Sequence, residues 1–233
     1  MYTFKSRVRF SECDSDGRLT TIGLINYLQD CCTMQAEDLD IGISYLKEHD
    51  LGWFITNWDI CINDMPSIGE EIYVSTWPYK FSGFIGYRNF KVENASGDLL
   101  AYADSLWVLM NLEKQTPSRL PDLMKERYTT DPALETNHMK RKLKPTGSDN
   151  IALEFKVDKM YLDTNFHMNN SYYVQGAMEA AGVKGYREII VEYKKSAQYQ
   201  DCVKCAVGQI EGGTQVDMLN DAGDIYAIVQ FNN

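Results

Sequence analysis

The chain has 233 residues, 44% hydrophobic and 24% charged, enough for one large domain or two small ones with proper cores. A formal net charge of −10 argues against general nucleic-acid binding, which needs a basic footprint. No run approaches the ~18 apolar residues of a membrane helix, and residues 1–10 alternate without the apolar stretch of a secretion signal, so a cytoplasmic protein is expected.

Residues 2–10 place Tyr2, Phe4, Ser6, Val8 and Phe10 on one face and Thr3, Lys5, Arg7 and Arg9 on the other, the pattern of a half-buried strand. After a loop over 11–17, Thr20 or Thr21 caps a helix of about 22–38, with Leu24, Ile25, Leu28, Cys31, Cys32 and Gln35 at helical spacing. A short helix is expected over 43–49. Four strand-like runs follow at 53–63, 70–79, 84–93 and 99–111. Turn chemistry separates them: Met65-Pro66-Ser67 with Gly69, Ser82-Gly83, and Asn94-Ala95-Ser96-Gly97-Asp98.

Residues 112–150 break the pattern with Pro117, Pro121, Pro132 and Pro145, one short helix near 121–127, and the basic run Lys140, Arg141, Lys142 and Lys144. The order then restarts. An alternating strand over 151–157 leads through a loop to a helix of about 169–182, followed by strand-like runs at 188–195, 201–210, 214–219 and 225–231. Each half reads β-α-β-β-β-β, giving units at 1–111 and 151–233 joined by a connector at 112–150. One long helix followed by an antiparallel sheet must be buried on the concave sheet face. Two such units make an α+β, tandem hotdog architecture.

The cysteines Cys13, Cys31, Cys32, Cys61, Cys202 and Cys205 form no disulfide framework. Cys202 and Cys205 make a CxxC in a predicted strand, where they face opposite ways, so structural thiols are expected and no metal.

The stretch 163–173 carries a carboxylate, a carboxamide and an imidazole at i, i+2 and i+4: Asp163, Asn165 and His167. In an extended strand all three point to one side. Asn169 or Asn170 then caps the helix, whose N-terminal N–H groups and dipole favour developing negative charge. Such a cluster suits acyl transfer or hydrolysis. Overlaying Asn26-Tyr27-Leu28-Gln29 on Tyr172-Tyr173-Val174-Gln175, an offset of 146 residues, puts Gly17, Leu19 and Thr21 at the places of Asp163, Asn165 and His167. On that overlay only the second copy holds the cluster, which favours a site over a structural turn.

The string Asp163-x-Asn165-x-His167-x-Asn169-Asn170 and the run Glu192-Tyr193-Lys194-Lys195 stand in the second half. Gly52-Trp53, Pro66 with Gly69, Thr76-Trp77, Arg88 with Phe90, and Ser105 with Trp107 stand in the first. In these motifs, over nearly its whole length, the sequence resembles the acyl-acyl-carrier-protein (acyl-ACP) thioesterases of plant plastids and bacteria. The resemblance implies hydrolysis of fatty acyl-ACP thioesters to free fatty acid and the carrier's phosphopantetheine thiol, ending acyl-chain elongation without a cofactor. It implies catalytic roles for Asp163, Asn165 and His167, with His167 or Asp163 as general base and the N–H groups of Asn169 and Asn170 at the oxyanion. It places the acyl pocket in the first unit, where Trp53, Trp58, Trp77 and Trp107 are candidates.

The partner implied is an acidic acyl carrier protein. Its docking candidates are Lys140, Arg141, Lys142, Lys144, Lys194 and Lys195, of which the last two face opposite ways if extended. A homodimer is compatible with the resemblance. In one place the sequence departs from the family. After the Glu-Tyr-basic-basic strand the family usually has Glu, followed in plants by Cys, where this chain has Ser196 and Ala197. A cysteine nucleophile or glutamate base is thereby excluded there, and Ser196 is left as a water-orienting hydroxyl. The competing readings are an acyl-CoA thioesterase on the same fold and a non-catalytic acyl-thioester binding protein.

Overall fold

The computed structural model describes residues 1–135 and 142–233. Lys140 and Arg141 of the basic run lie outside the described residues. The chain folds as two compact units, Met1–Thr56 with Ile62–Met139, and Asn57–Cys61 with Lys140–Asn233. Each is a hotdog, one long helix against an antiparallel sheet.

The first unit runs β1 (Tyr2–Arg7), α1 (Thr21–Asp38), α2 (Ile43–Glu48), β2 (Leu51–Ile62), β3 (Glu71–Ser82), β4 (Ile85–Asn94), β5 (Leu99–Asn111), the short β6 (Thr116–Pro117) and α3 (Asp122–Arg127). Its strands lie in the order β1-β3-β4-β5-β2, with β6 on β5. Thr20 starts α1, its hydroxyl accepting from Gly23 N at 3.1 Å and donating to the Glu12 carbonyl at 2.9 Å. Leu24, Ile25, Leu28 and Cys31 form the buried stripe of α1, and the Cys31 thiol donates to the Val74 carbonyl of β3 at 3.3 Å. A second cluster of Ile41, Leu51, Leu109, Leu120, Met124 and Tyr128 seats α3.

The second unit runs β7 (Ile151–Lys156), α4 (Asn170–Ala181), β8 (Glu188–Tyr193), β9 (Cys202–Ile210), β10 (Gly213–Leu219) and β11 (Ile225–Asn232). The order is β8-β11-β10-β9-β7, and residues 57–61 of β2 pair antiparallel with β8. In α4, Gly176 makes close packing on β7 possible. A Cβ there would lie 2.9 Å from the Phe155 ring. Ahead of β7 the chain is strapped down. Leu143 is buried against Ile190 and Ile228, its N–H donates to Glu192 Oε2 at 2.8 Å, and Thr146 gives its N–H and hydroxyl to Asp217 Oδ2. Glu192 thus holds the backbone of this strap.

β8 stops at Tyr193, two residues before the predicted end. The N–H groups of Lys194 and Lys195 both turn onto the Tyr226 carbonyl, at 2.8 and 3.1 Å. Strand alternation therefore does not govern where these lysines point.

The repeat offset is 149 residues, not 146. β1 and β7, the 3₁₀ turns Phe10–Glu12 and Lys159–Tyr161, and the caps Thr20 and Asn169 all match at that spacing. The three-residue slip arises because a helix presents nearly the same apolar face after one turn, so similarity within the helix alone fixes its phase poorly.

Candidate active site

Residues 163–167 are a tight turn rather than an extended strand. Asp163 Oδ1 accepts from the N–H groups of Asn165 at 2.8 Å and His167 at 3.2 Å. Asp163 N–H donates to the His167 carbonyl at 2.8 Å, Phe166 N–H to the Asp163 carbonyl at 3.1 Å, and Leu162 bridges Met168. An aspartate that captures N–H groups two and four residues on offers the backbone a local alternative to a ladder, and the alternation expected of a strand is lost. The three polar residues converge all the same. They line one open cleft of about 660 Å³ with Lys159, Leu162, Phe166, Gln198 and Tyr199.

The second wall comes from the segment after β8. His167 pairs with Gln198 in a β-bridge, Met168 N–H donates to the Ala197 carbonyl at 2.9 Å, and Ala197 N–H donates to the Tyr173 hydroxyl at 2.7 Å. Burial pushes the Tyr173 phenol well above its usual range, so it stays a neutral strut. Ser196 is exposed and is not among the residues lining the cleft. Asn169 is the cap of α4, its Oδ1 accepting from Ser171 N and Oγ at 3.0 Å each. The Asn169 N–H already donates to the Tyr161 carbonyl at 2.8 Å, so it is not available to an oxyanion. The Asn170 carbonyl accepts from the Tyr193 hydroxyl at 2.9 Å.

The first unit contains the same turn. Asp14 Oδ1 accepts from Asp16 N at 2.9 Å and Arg18 N at 3.0 Å, Asp14 N–H donates to the Arg18 carbonyl, and Gly17 N–H to the Asp14 carbonyl. Arg18 bridges Ser67 as His167 bridges Gln198. On the corrected offset Asp14 stands for Asp163, Asp16 for Asn165, Gly17 for Phe166 and Arg18 for His167. The expectation that the first copy has no titratable group there is wrong: the aspartate is common to both copies, and the imidazole and carboxamide belong to the second alone. Arg18 reaches Ser67 Oγ at 3.2 Å and forms an ion pair with Asp64. Shared by both turns, the aspartate has a structural duty; the histidine and asparagine do not share it.

One further difference separates the turns. Gly17 has φ +74° and Phe166 has φ +62°. The left-handed region costs glycine nothing and other L-residues about 1–2 kcal/mol.

The acyl-ACP thioesterase N-terminal domain family matches residues 1–128, and the acyl-ACP thioesterase C-terminal domain family matches residues 144–232. This chain belongs to the acyl-ACP thioesterase family. Among curated relatives in it, a chloroplastic acyl-[acyl-carrier-protein] hydrolase of Cuphea viscosissima is 25% identical over 236 residues, 93% of this chain and 54% of that protein. A chloroplastic palmitoyl-acyl carrier protein thioesterase of Arabidopsis thaliana is 26% identical over 94% of this chain and 57% of its own length. The chain thus spans about half the length of the curated relatives it matches. Among solved structures, an acyl-ACP thioesterase from Bacteroides thetaiotaomicron superposes with a TM-score of 0.90 at 22% identity, over 99% of this chain and 96% of that one. A 12:0-ACP thioesterase from Umbellularia californica gives 0.83 at 18% identity, over 99% and 96%.

Against the acyl-ACP thioesterase pattern, the other sequence candidates are scattered. Trp53 has its indole N–H buried without a hydrogen-bond partner, and its ring lies against Gly86. Trp77 donates to the Pro132 carbonyl at 2.9 Å and Trp107 to Ser105 Oγ at 2.8 Å. Trp58 is fully buried in the 57–61 stretch, which groups with the second unit. Lys142 and Lys144 are exposed, while Lys194 and Lys195 lie 3.4 and 3.5 Å from Glu192 and Asp224. Cys202 donates to Glu154 and the Cys205 thiol is buried, so the two do not converge. Asp59, Cys61 and Glu188 bring ligand atoms within 4.8 Å of one another; Glu188 is held by Asn232 at 2.5 Å, and none of the three lines the cleft.

Sequence reasoning missed Lys159, Phe166, Gln198 and Tyr199. Gln198 and Tyr199 come from a segment with no local signal. Phe166 was legible in principle, as an aromatic residue between Asn165 and His167 in a turn sequence.

Proposed function

We propose that the protein hydrolyses fatty acyl-ACP thioesters, releasing free fatty acid and the carrier thiol and so ending acyl-chain elongation in fatty acid biosynthesis. The observation that carries the reading is that Asp163, Asn165 and His167 line one open cleft in a chain of this family. The curated relatives' names point to the same substrate class.

The steps follow from the residue chemistry. The imidazole of His167 takes a proton from water as general base. The water attacks the thioester carbonyl, and the carboxamide of Asn165 donates to the oxygen as charge develops. The start of α4, which follows this turn in the chain, adds the pull of a helix N-terminus. The C–S bond then breaks, and the proton passes from His167 to the thiolate. Asp163 acts through its turn: its Oδ1 fixes the backbone N–H groups of Asn165 and His167. This engagement favours direct attack by water over an anhydride on Asp163. Ser196 is assigned a minor part, orienting water at the rim.

The acyl chain is assigned to the first unit, with Trp53, Trp77 and Trp107 as its candidate residues, while Trp58 groups with the second unit. The carrier docks on Lys140, Arg141, Lys142, Lys144, Lys194 and Lys195, local positive charge in an acidic chain. The cysteines described as free thiols fit a reducing compartment such as the cytoplasm. No helix among the described residues is long and apolar enough to cross a membrane. The reading is tested by product release from acyl-ACP and acyl-CoA thioesters of equal chain length: fatty acid from the first at the higher kcat/KM supports it, and preference for the second makes the protein an acyl-CoA thioesterase.

A further inference from the structure

We infer that Phe166 is a substrate-gripping residue: with Tyr199 it clasps the pantetheine arm of the thioester, and Lys159 meets the phosphate on that arm. The inference rests on the thioesterase reading and deepens it.

The first observation is backbone conformation. Phe166 sits at φ +62°, a region that bulky L-residues avoid, and the twin turn meets the same need with Gly17 at φ +74°. Glycine would serve the turn as well. A strained residue kept where an unstrained one suffices points to a use for its side chain.

The second is exposure. The Phe166 side chain is 77% exposed, so it adds nothing to the core, and it belongs to the cleft that holds Asn165 and His167. Tyr199 in the same cleft is 46% exposed. The chain therefore leaves two aromatic rings solvated at the mouth of its reactive cleft.

The third is charge. Lys159 lines this cleft, with its ammonium 5.5 Å from the centre of the Tyr199 ring. The cleft thus offers apolar ring faces, amide and imidazole hydrogen-bonding groups, and one cation. The carrier's phosphopantetheine arm has the matching parts in line: a thioester, two amides, a gem-dimethyl group and a phosphodiester. A bare acyl chain has no use for the cation or the polar wall, and an apolar protein surface has none for Asn165.

The test uses three thioesters of one fatty acid, with 4′-phosphopantetheine, with pantetheine and with N-acetylcysteamine. For Phe166→Gly we expect KM for the first two to rise about tenfold, as for loss of one aromatic contact, with kcat little changed. The N-acetylcysteamine ester, whose arm is truncated, should change less than twofold. Lys159→Ala should raise KM for the phosphorylated arm alone. Phe166→Asn, which also tolerates the turn, should behave as Phe166→Gly, and both should melt no lower than wild type. Unchanged KM in both Phe166 variants while wild type turns over all three esters overturns this inference and leaves the thioesterase reading standing. An equal penalty on the truncated ester also overturns it, because the ring then acts on the reacting centre. A wild-type protein that hydrolyses none of the three, nor any acyl-ACP, overturns both.

Discussion

Asp14 and Asp163, 149 residues apart, hold their turns with the same four hydrogen bonds, yet the turn of Asp14 presents Arg18 where that of Asp163 presents His167. The duplication is an internal control. What both copies share belongs to folding, and what one copy has alone is open to function.

The first prediction separates these roles. Asp14→Ala and Asp163→Ala should each lose about 1–3 kcal/mol of stability, since each leaves two turn N–H groups without their charged acceptor. Asp163→Asn keeps an acceptor oxygen and should retain more than a tenth of wild-type kcat. If Asp163→Asn is as inactive as a His167 deletion while Asp163→Ala folds normally, the carboxylate reacts directly and the positioning role is wrong.

Position 196 gives the second. Ser196 stands where the family usually has glutamate, and it is exposed. Ser196→Ala should lower kcat less than tenfold. Ser196→Glu restores the carboxylate that the resemblance implies there and should change the pH–rate profile if this position takes part in the chemistry. Identical profiles for both variants and wild type would put this position outside the chemistry.

Much of the fold was legible because periodicity reports burial directly. The stripe of Leu24, Ile25, Leu28 and Cys31 gave α1 nearly to its ends, and the alternation of 2–10 gave β1, although the strand stops at Arg7 and Phe10, expected on the buried face, is exposed in a 3₁₀ turn. What misled was local. The 146-residue offset came from matching helix faces that repeat every turn. The 163–167 stretch reads as alternating, but Asp163 captures two backbone N–H groups and bends it. Lys194 and Lys195 look like strand because the Tyr226 carbonyl that ends β8 lies some thirty residues onward. The wall carrying Gln198 and Tyr199 is brought to His167 by a bridge across thirty residues, which no window of sequence contains.

Carrier docking gives the third prediction. Reversing Lys142, Lys144, Lys194 and Lys195 to Glu should raise KM for a carrier-linked substrate at low salt and affect a small soluble thioester less. The difference should shrink as salt rises, because exposed charges are screened beyond about 8 Å at physiological ionic strength. An unchanged carrier KM in the fourfold variant at low salt means that docking lies elsewhere.

The CxxC supplies the fourth. Burial pushes the thiols of Cys31 and Cys205 up to about 12, so neither forms thiolate at neutral pH. Both should resist a thiol reagent in the native protein and react on unfolding. Rapid native labelling of Cys205, or a Cys202–Cys205 disulfide found by mass spectrometry under mild oxidation, would count against a structural role.

The most direct test of the account is hydrolysis of acyl-ACP thioesters of graded chain length by wild type, Asn165→Ala and His167→Ala, with thermal melts of each. The account predicts free fatty acid and free carrier thiol from wild type, and a loss on the order of 10² to 10⁴ in rate for His167→Ala with its melt unchanged, as for removal of a general base. A His167→Ala protein that folds and turns over like wild type would contradict it.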